Sequence, residues 1–216
     1  MTQGDRADAL LLFGQRRTYR PLRGMPTHRV VGDTDIDAAI GPYRRLIVLG
    51  GDAELAAVLT RLLRAERLDV EVAYVPRRHT RATRIYRQPA GFRAARRARR
   101  GAARRVPLIR DETGSVVVGR AGWLPADGAR SIHGEAVVDD TTLFDGDVAG
   151  VWVEPTLTMP GLRAAIVGRL WPRWVTGRAA QLGSTGVAVV RDGVAVPRAA
   201  RRSAFYRNIE GWLLVG

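Results

Sequence analysis

The tripeptide Gly50-Gly51-Asp52 directly follows the apolar run Arg45–Leu49 (RLIVL). Directly after it, Ala53–Arg67 carries Leu55, Val58, Leu59, Leu62 and Leu63 at helical spacing. A strand, two glycines, an acid and a helix together suit a phosphate. Glycine lets a ligand approach the backbone, and a helix N-terminus offers free N–H groups and the positive end of its dipole. An acid at this point orients donors or holds a metal on the phosphates. The same residues also suit a tight strand-to-helix turn with Asp52 as N-cap. Taken alone, the spacing leaves both readings open.

Other constellations carry less. Asp139, Asp140, Asp145 and Asp147 place four acids within nine residues. Between β-type runs, Asp-Gly-Asp reads as a turn rather than a metal site. Ser184 directly follows Gly183, which breaks the G-x-S-x-G spacing of a nucleophile elbow. Trp171 and Trp174 suit packing in a core or at a lobe interface more than an acyl or membrane-facing groove. His28, His79 and His133 lie far apart, and a histidine metal site is not expected. With no Cys, disulfide scaffolds, zinc ribbons and thiol nucleophiles are excluded.

Charge is concentrated in one stretch. The 216 residues carry 35 basic and 21 acidic side chains, net +14, and every basic one is Arg. Thirteen of these lie between Arg77 and Arg110, which holds no Asp or Glu, so the rest of the chain nets only +1. Thirteen guanidinium groups cannot be buried unpaired. The segment is therefore a solvated helical face or a surface for a phosphate-bearing ligand, an anionic membrane or nucleic acid. Tyr86 and Phe92 are its only aromatic residues, too few for a single-strand stacking platform. No apolar stretch reaches the roughly 18 residues of a spanning helix. The N-terminal apolar run is too short for a signal sequence, so a cytoplasmic location is expected, with peripheral contact at the inner membrane surface as an extension.

The elements that must hold these residues follow from periodicity. Ala9–Phe13, His28–Val31, Arg45–Leu49 and Val70–Val75 read as strands. Asp33–Ile40 and Ala53–Arg67 read as helices. This alternation implies a parallel sheet covered by helices. The Arg-rich stretch reads as two short surface helices split at Gln88–Gly91. From about residue 106 short β-type runs dominate, with a hairpin at Asp192-Gly193 and one helix expected over Pro160–Trp171. The expected architecture is α/β, a Rossmann-like parallel-sheet lobe over 1–105 followed by a β-rich, mostly antiparallel lobe over 106–216.

Several of these segments, in order, resemble the diacylglycerol kinase and bacterial lipid kinase family, which shares its fold with the NAD kinases. Leu46–Leu59 (LIVLGGDAELAAVL) is similar to the family's strand, its G-G-D-G-T loop and the following helix. Val70–Val75 with Pro76 resembles the next strand and the proline of a second phosphate-contacting turn. Ala94–Arg110, Phe144–Pro155, Gly161–Trp171 and Thr176-Gly177 resemble the entry into the second lobe and parts of it. The resemblance implies ATP in the first lobe, substrate in the cleft between lobes, and Mg²⁺-dependent transfer of the γ-phosphoryl group to a lipid hydroxyl. It implies nucleotide contacts at Gly50, Gly51 and Asp52, and the second turn of this chain adds Arg77, Arg78, Thr80 and Arg81 as candidate phosphate contacts. The chain departs from the family at Ala53 and Glu54, which stand where the loop has Gly and Thr. The second turn, normally P-x-G-T-x-N-D, lacks its Gly, Asn and Asp, and Arg77, Arg78, Arg81 and Arg84 offer an anion clamp in their place. The late D-G-E element has no match near Arg201–Asn208, so no catalytic residue is assigned. The expectation is a degenerate member that transfers phosphoryl groups or only binds nucleotide or phospholipid. The alternative is a non-enzymatic module that binds nucleic acid or anionic membrane through Arg77–Arg110.

Overall fold

The computed structural model describes residues 8–126, 128–168 and 171–216. They divide into two units, one running to Val106 and including Glu210–Gly216, the other Pro107–Ile209.

The first unit opens with β1 (Asp8–Phe13), β2 (Thr27–Val30), α1 (Asp33–Ile40), β3 (Arg45–Leu49), α2 (Asp52–Arg64) and β4 (Glu71–Tyr74). There follow α3 (Arg81–Ile85), α4 (Gly91–Arg100) and β5 (Ala103–Val106). β1 and β3 are apolar almost throughout because helices cover both faces of their sheet. Leu10, Leu12, Ile47, Leu49, Ala73 and Val75 form one core cluster with Ala94, Ala95 and Ala98 of α4. Strand alternation turns Leu11, Leu46 and Val48 to the opposite face. The apolar stripe of α2, with Leu55, Val58, Leu59 and Leu62, is buried as its spacing requires. In α4 the three buried residues are all alanine.

Arg45 is buried at the start of β3. Its Nε donates to Glu71 at 2.6 Å, and its other nitrogens donate to the Ala98 and Gly101 carbonyls at 2.9 and 3.0 Å. The guanidinium thus satisfies carbonyl oxygens left open at the α4 C-terminus, where positive charge is favoured.

The second unit contains β6 (Ile109–Asp111), β7 (Val116–Val117), β8 (Ala121–Pro125), β9 (Ile132–Val138), β10 (Thr141–Val148) and β11 (Val151–Pro155). It continues with β12 (Leu162–Ile166), β13 (Val175–Gly177), β14 (Ala179–Arg191), β15 (Val194–Ala195) and β16 (Ala200–Arg207). Among the described residues these strands pair antiparallel. The main path is β13-β12-β11-β8-β14-β16-β6-β7, with β9 joining β14 to β10. The core includes Trp123 and Phe205, with ring centroids 5.6 Å apart.

The last strand, β17 (Trp212–Val215), returns to the first sheet, whose order is β2-β1-β3-β4-β17-β5. It runs parallel to β4 and antiparallel to β5. Trp212, Leu214 and Val215 are buried there. The architecture is therefore α/β, a Rossmann-like, mostly parallel sheet and a β-rich antiparallel unit, as the sequence predicts.

Three local expectations differ. The helix expected over Pro160–Trp171 is replaced by β12, paired on both sides by β11 and β13, so ladder hydrogen bonds override the helical propensity of Leu, Arg and Ala; residues 169 and 170 lie outside the described set. Asp145-Gly146-Asp147 is not a turn but part of β10, facing Glu135, Gly134 and His133 of β9. The C-terminal strand, expected in the second lobe, belongs to the first unit. The Asp192-Gly193 hairpin forms as expected, with φ of 47° and 87°.

Candidate functional site

The junction of β3 and α2 is built around Glu54. Gly51 is the N-cap of α2 and Asp52 its first helical residue, so Asp52 is not the cap. Glu54 Oε2 accepts the Gly51 N–H at 2.8 Å, the reach-back half of a capping box. Its Oε1 lies 3.3 Å from the Arg16 guanidinium, which also donates to the Phe13 carbonyl at 2.6 Å. Arg16 thereby pairs with the charge of Glu54. A Cβ on Gly50 would stand 2.9 Å from the Glu54 Cβ and 3.4 Å from the Phe13 ring, so the turn closes only with glycine.

Asp52 points to its own structural partners. It accepts from the Tyr74 hydroxyl at 2.7 Å and from the Ala82 N–H at 3.1 Å. Burial, then the negative charge of Asp52, push the Tyr74 phenol well above its ordinary pKa of 10.0. The phenol therefore stays protonated and donates. Asp52 joins the end of β4 and the start of α3 to α2. Thr80 caps α3: its Oγ1 accepts the Thr83 N–H at 3.2 Å, while Thr83 Oγ1 accepts the Thr80 N–H at 2.9 Å. Arg81 is the first residue of α3, and Arg77 and Arg78 are exposed in the turn before it.

Beside this junction is a cleft of about 450 Å³ lined by Gln15, Arg16, Arg17, Tyr19, Leu49 and Arg77. Its residues follow the carboxyl ends of β1, β3 and β4, where open parallel sheets take their ligands. Leu49 immediately precedes Gly50. Of the residues read from sequence, only Arg77 lines the cleft; Gly50, Gly51, Asp52, Arg78, Thr80 and Arg81 are not among its lining residues. Arg16 and Arg17 were missed. The signal for them was a basic pair starting three residues beyond the end of the first apolar strand, past Gly14, whose φ is +63°, and Gln15.

Three guanidinium groups around one hollow fit a polyphosphate. The donor set does not fit a resident Mg²⁺. Among the described residues no group of three His, Asp or Glu converges. The carboxylates of Asp52 and Glu54 already accept hydrogen bonds within the fold.

The remaining constellations are structural. Asp139 accepts the Arg178 and Ala179 N–H groups, and Asp192 those of Val118, Gly119 and Arg120. Ser184 lies inside β14. Trp171 is 85% exposed, contrary to the expected packing, and the Trp174 ring lies 4.3 Å beneath the Arg163 guanidinium. Arg163 and Arg120 both pair with the fully buried Glu154.

No family model matches the chain, and no curated protein matches it in sequence. Solved structures do match. A diacylglycerol kinase from Bacillus anthracis str. Sterne matches with a TM-score of 0.76 at 10% identity, over 97% of this chain and 96% of that one. An NAD kinase from Archaeoglobus fulgidus in complex with ATP matches at 0.63 and 13% identity, over 97% and 93%. The chain has the diacylglycerol kinase and NAD kinase fold. Yeast NADH kinase complexed with NADH matches this kinase fold at 0.54 and 10% identity, over 89% of this chain and 65% of that one. At such identities the likeness is one of fold.

Proposed function

We propose that this is a lipid-kinase-like protein whose first unit binds the phosphates of ATP in the cleft lined by Arg16, Arg17 and Arg77. The observation that carries the reading is that cleft: three guanidinium groups at the carboxyl ends of parallel strands, beside a glycine-rich strand-to-helix junction. Gly50, Gly51 and Asp52 set the backbone of that junction, and of the second turn Arg77 lines the cleft while Arg78, Thr80 and Arg81 stand outside its lining. The acceptor class, a lipid hydroxyl, comes from the fold neighbour described as a diacylglycerol kinase. Transfer would break the bond between the γ-phosphorus and its bridging oxygen and form one to the acceptor oxygen, whose proton leaves to a base. Positioning and charge neutralisation dominate such a step, and arginine supplies both without depending on pH. Mg²⁺ would arrive on the phosphates of the nucleotide and neutralise part of their charge.

The test is thermal stability with ATP, with and without Mg²⁺. Binding to the native state alone must raise the melting temperature. The shift is expected for the wild type and lost in Arg16→Ala/Arg77→Ala. Absence of any nucleotide-induced shift overturns the reading. Transfer is then tested with ³²P-labelled ATP and diacylglycerol: labelled lipid supports the lipid acceptor, and nucleotide binding without labelled lipid removes it.

A further inference from the structure

We infer that the exposed face of α4 is a docking surface for the phosphate backbone of duplex nucleic acid. Three features carry this. The first is charge. Residues 1–106 and 210–216 hold 23 Arg against 11 Asp and Glu, net +12, whereas 107–209 net only +2. The second is placement. Arg93, Arg96, Arg97 and Arg100 fall at i, i+3, i+4 and i+7 of α4, and all four are exposed. Among the described residues none of the four has a carboxylate partner. From Arg93 to Arg100 the helix rises about 10 Å, a length over which duplex DNA carries roughly six backbone charges. The third is rigidity. Ala94, Ala95 and Ala98 lock the other side of α4 into the core, and Arg45 fastens its C-terminus. The cations are held in a fixed row before any partner arrives.

The same features select the polyanion. A membrane-embedded helix turns an apolar face outward, but the apolar side of α4 is alanine and buried. Phe92, 54% exposed, is the only exposed large apolar residue on α4. Single strands are gripped by rows of aromatic rings, and a single phenylalanine makes no row. Regularly spaced phosphates matched to regularly spaced guanidinium groups remain, with affinity that is electrostatic and independent of base sequence.

The experiment is fluorescence anisotropy with the full chain and a labelled DNA duplex of about 24 base pairs. A single strand of equal length and vesicles of phosphatidylglycerol serve as competitors. Four neutralised phosphates give a log–log salt slope near −3.6, so affinity should fall by about 10²-fold between roughly 50 and 200 mM salt. Replacing Arg93, Arg96, Arg97 and Arg100 with Gln should remove most of the binding and flatten that slope. Gln is a good helix former, and an unchanged melting temperature confirms that α4 survives. Replacing the exposed Arg130, Arg173, Arg198 and Arg201 with Gln removes the same charge elsewhere and should leave binding nearly intact. Equal loss in both variants, stronger competition by vesicles or single strand than by unlabelled duplex, or no duplex binding at low salt overturns the inference. The ATP-induced thermal shift is read separately, so failure here leaves the nucleotide reading standing.

Discussion

Glu54 occupies the backbone donor that an incoming phosphate would use, and its charge lies against Arg16, which lines the cleft. Glu54→Gln keeps the side chain's reach to Gly51 but releases Arg16 from its carboxylate. ATP should then bind more tightly, by about fivefold, since one exposed charge pair is worth about 1 kcal/mol at this range. Calorimetric titration checks this, and unchanged or weaker binding refutes the competition. Tyr74 gives a second prediction. Its folded-state pKa is raised, so its contribution to stability is complete below the unfolded phenol's value of 10.0 and is lost as pH rises beyond it. Tyr74→Phe should cost about 1 kcal/mol near neutrality by removing the hydrogen bond to Asp52. It should also flatten the alkaline fall in melting temperature seen in the wild type. At this scale the sequence showed the glycines and the acid but not their partners. Arg16 is 38 residues from Glu54 and Tyr74 is 22 from Asp52, separations that no local spacing rule spans.

The elements were legible where burial on one or both faces imposes a period. β1, β3, α1 and α2 follow their apolar patterns almost to the residue. β12 does not. Leu-Arg-Ala-Ala-Ile suits a helix by propensity, and only pairing with β11 and β13 makes it a strand. The buried Glu154 on β11 was equally hidden, because the arginines that neutralise it come from other segments, Arg163 on β12 and Arg120 just before β8. Glu154→Gln should destabilise the second unit by about 2 kcal/mol. Leaving one side of a buried ion pair costs more than this, but both arginines are about a third exposed and water offsets part of it. Urea unfolding monitored by tryptophan fluorescence measures the change, and a variant as stable as the wild type refutes the role. At the junction of β5 and β17, a Cβ on Gly211 would collide with the Val106 carbonyl oxygen. Gly211→Ala should therefore loosen β17, seen as faster amide exchange in β4 and β5.

At the scale of the whole molecule, the first unit is discontinuous in sequence. β4 and β5 each need β17, and the 103 residues of Pro107–Ile209 intervene before it appears. Deleting residues 210–216 should abolish cooperative unfolding of the first unit and leave a protease-resistant fragment covering Pro107–Ile209. A truncated protein that unfolds like the wild type would overturn this dependence. The two-part architecture was legible because helical and β-type textures change near residue 106. The sheet that receives the last strand was not, since WLLV would suit the interior of either unit.

This discontinuity sets a timetable for biosynthesis. A ribosome delivers the chain from its N-terminus, and domains ordinarily fold as they emerge. Here β1 to β5 emerge early yet leave a gap between β4 and β5 until the closing strand is translated. The nascent sheet must wait, with two unpaired edges, while an entire second unit is synthesised, so chaperone protection and translation speed over Pro107–Ile209 should govern its yield.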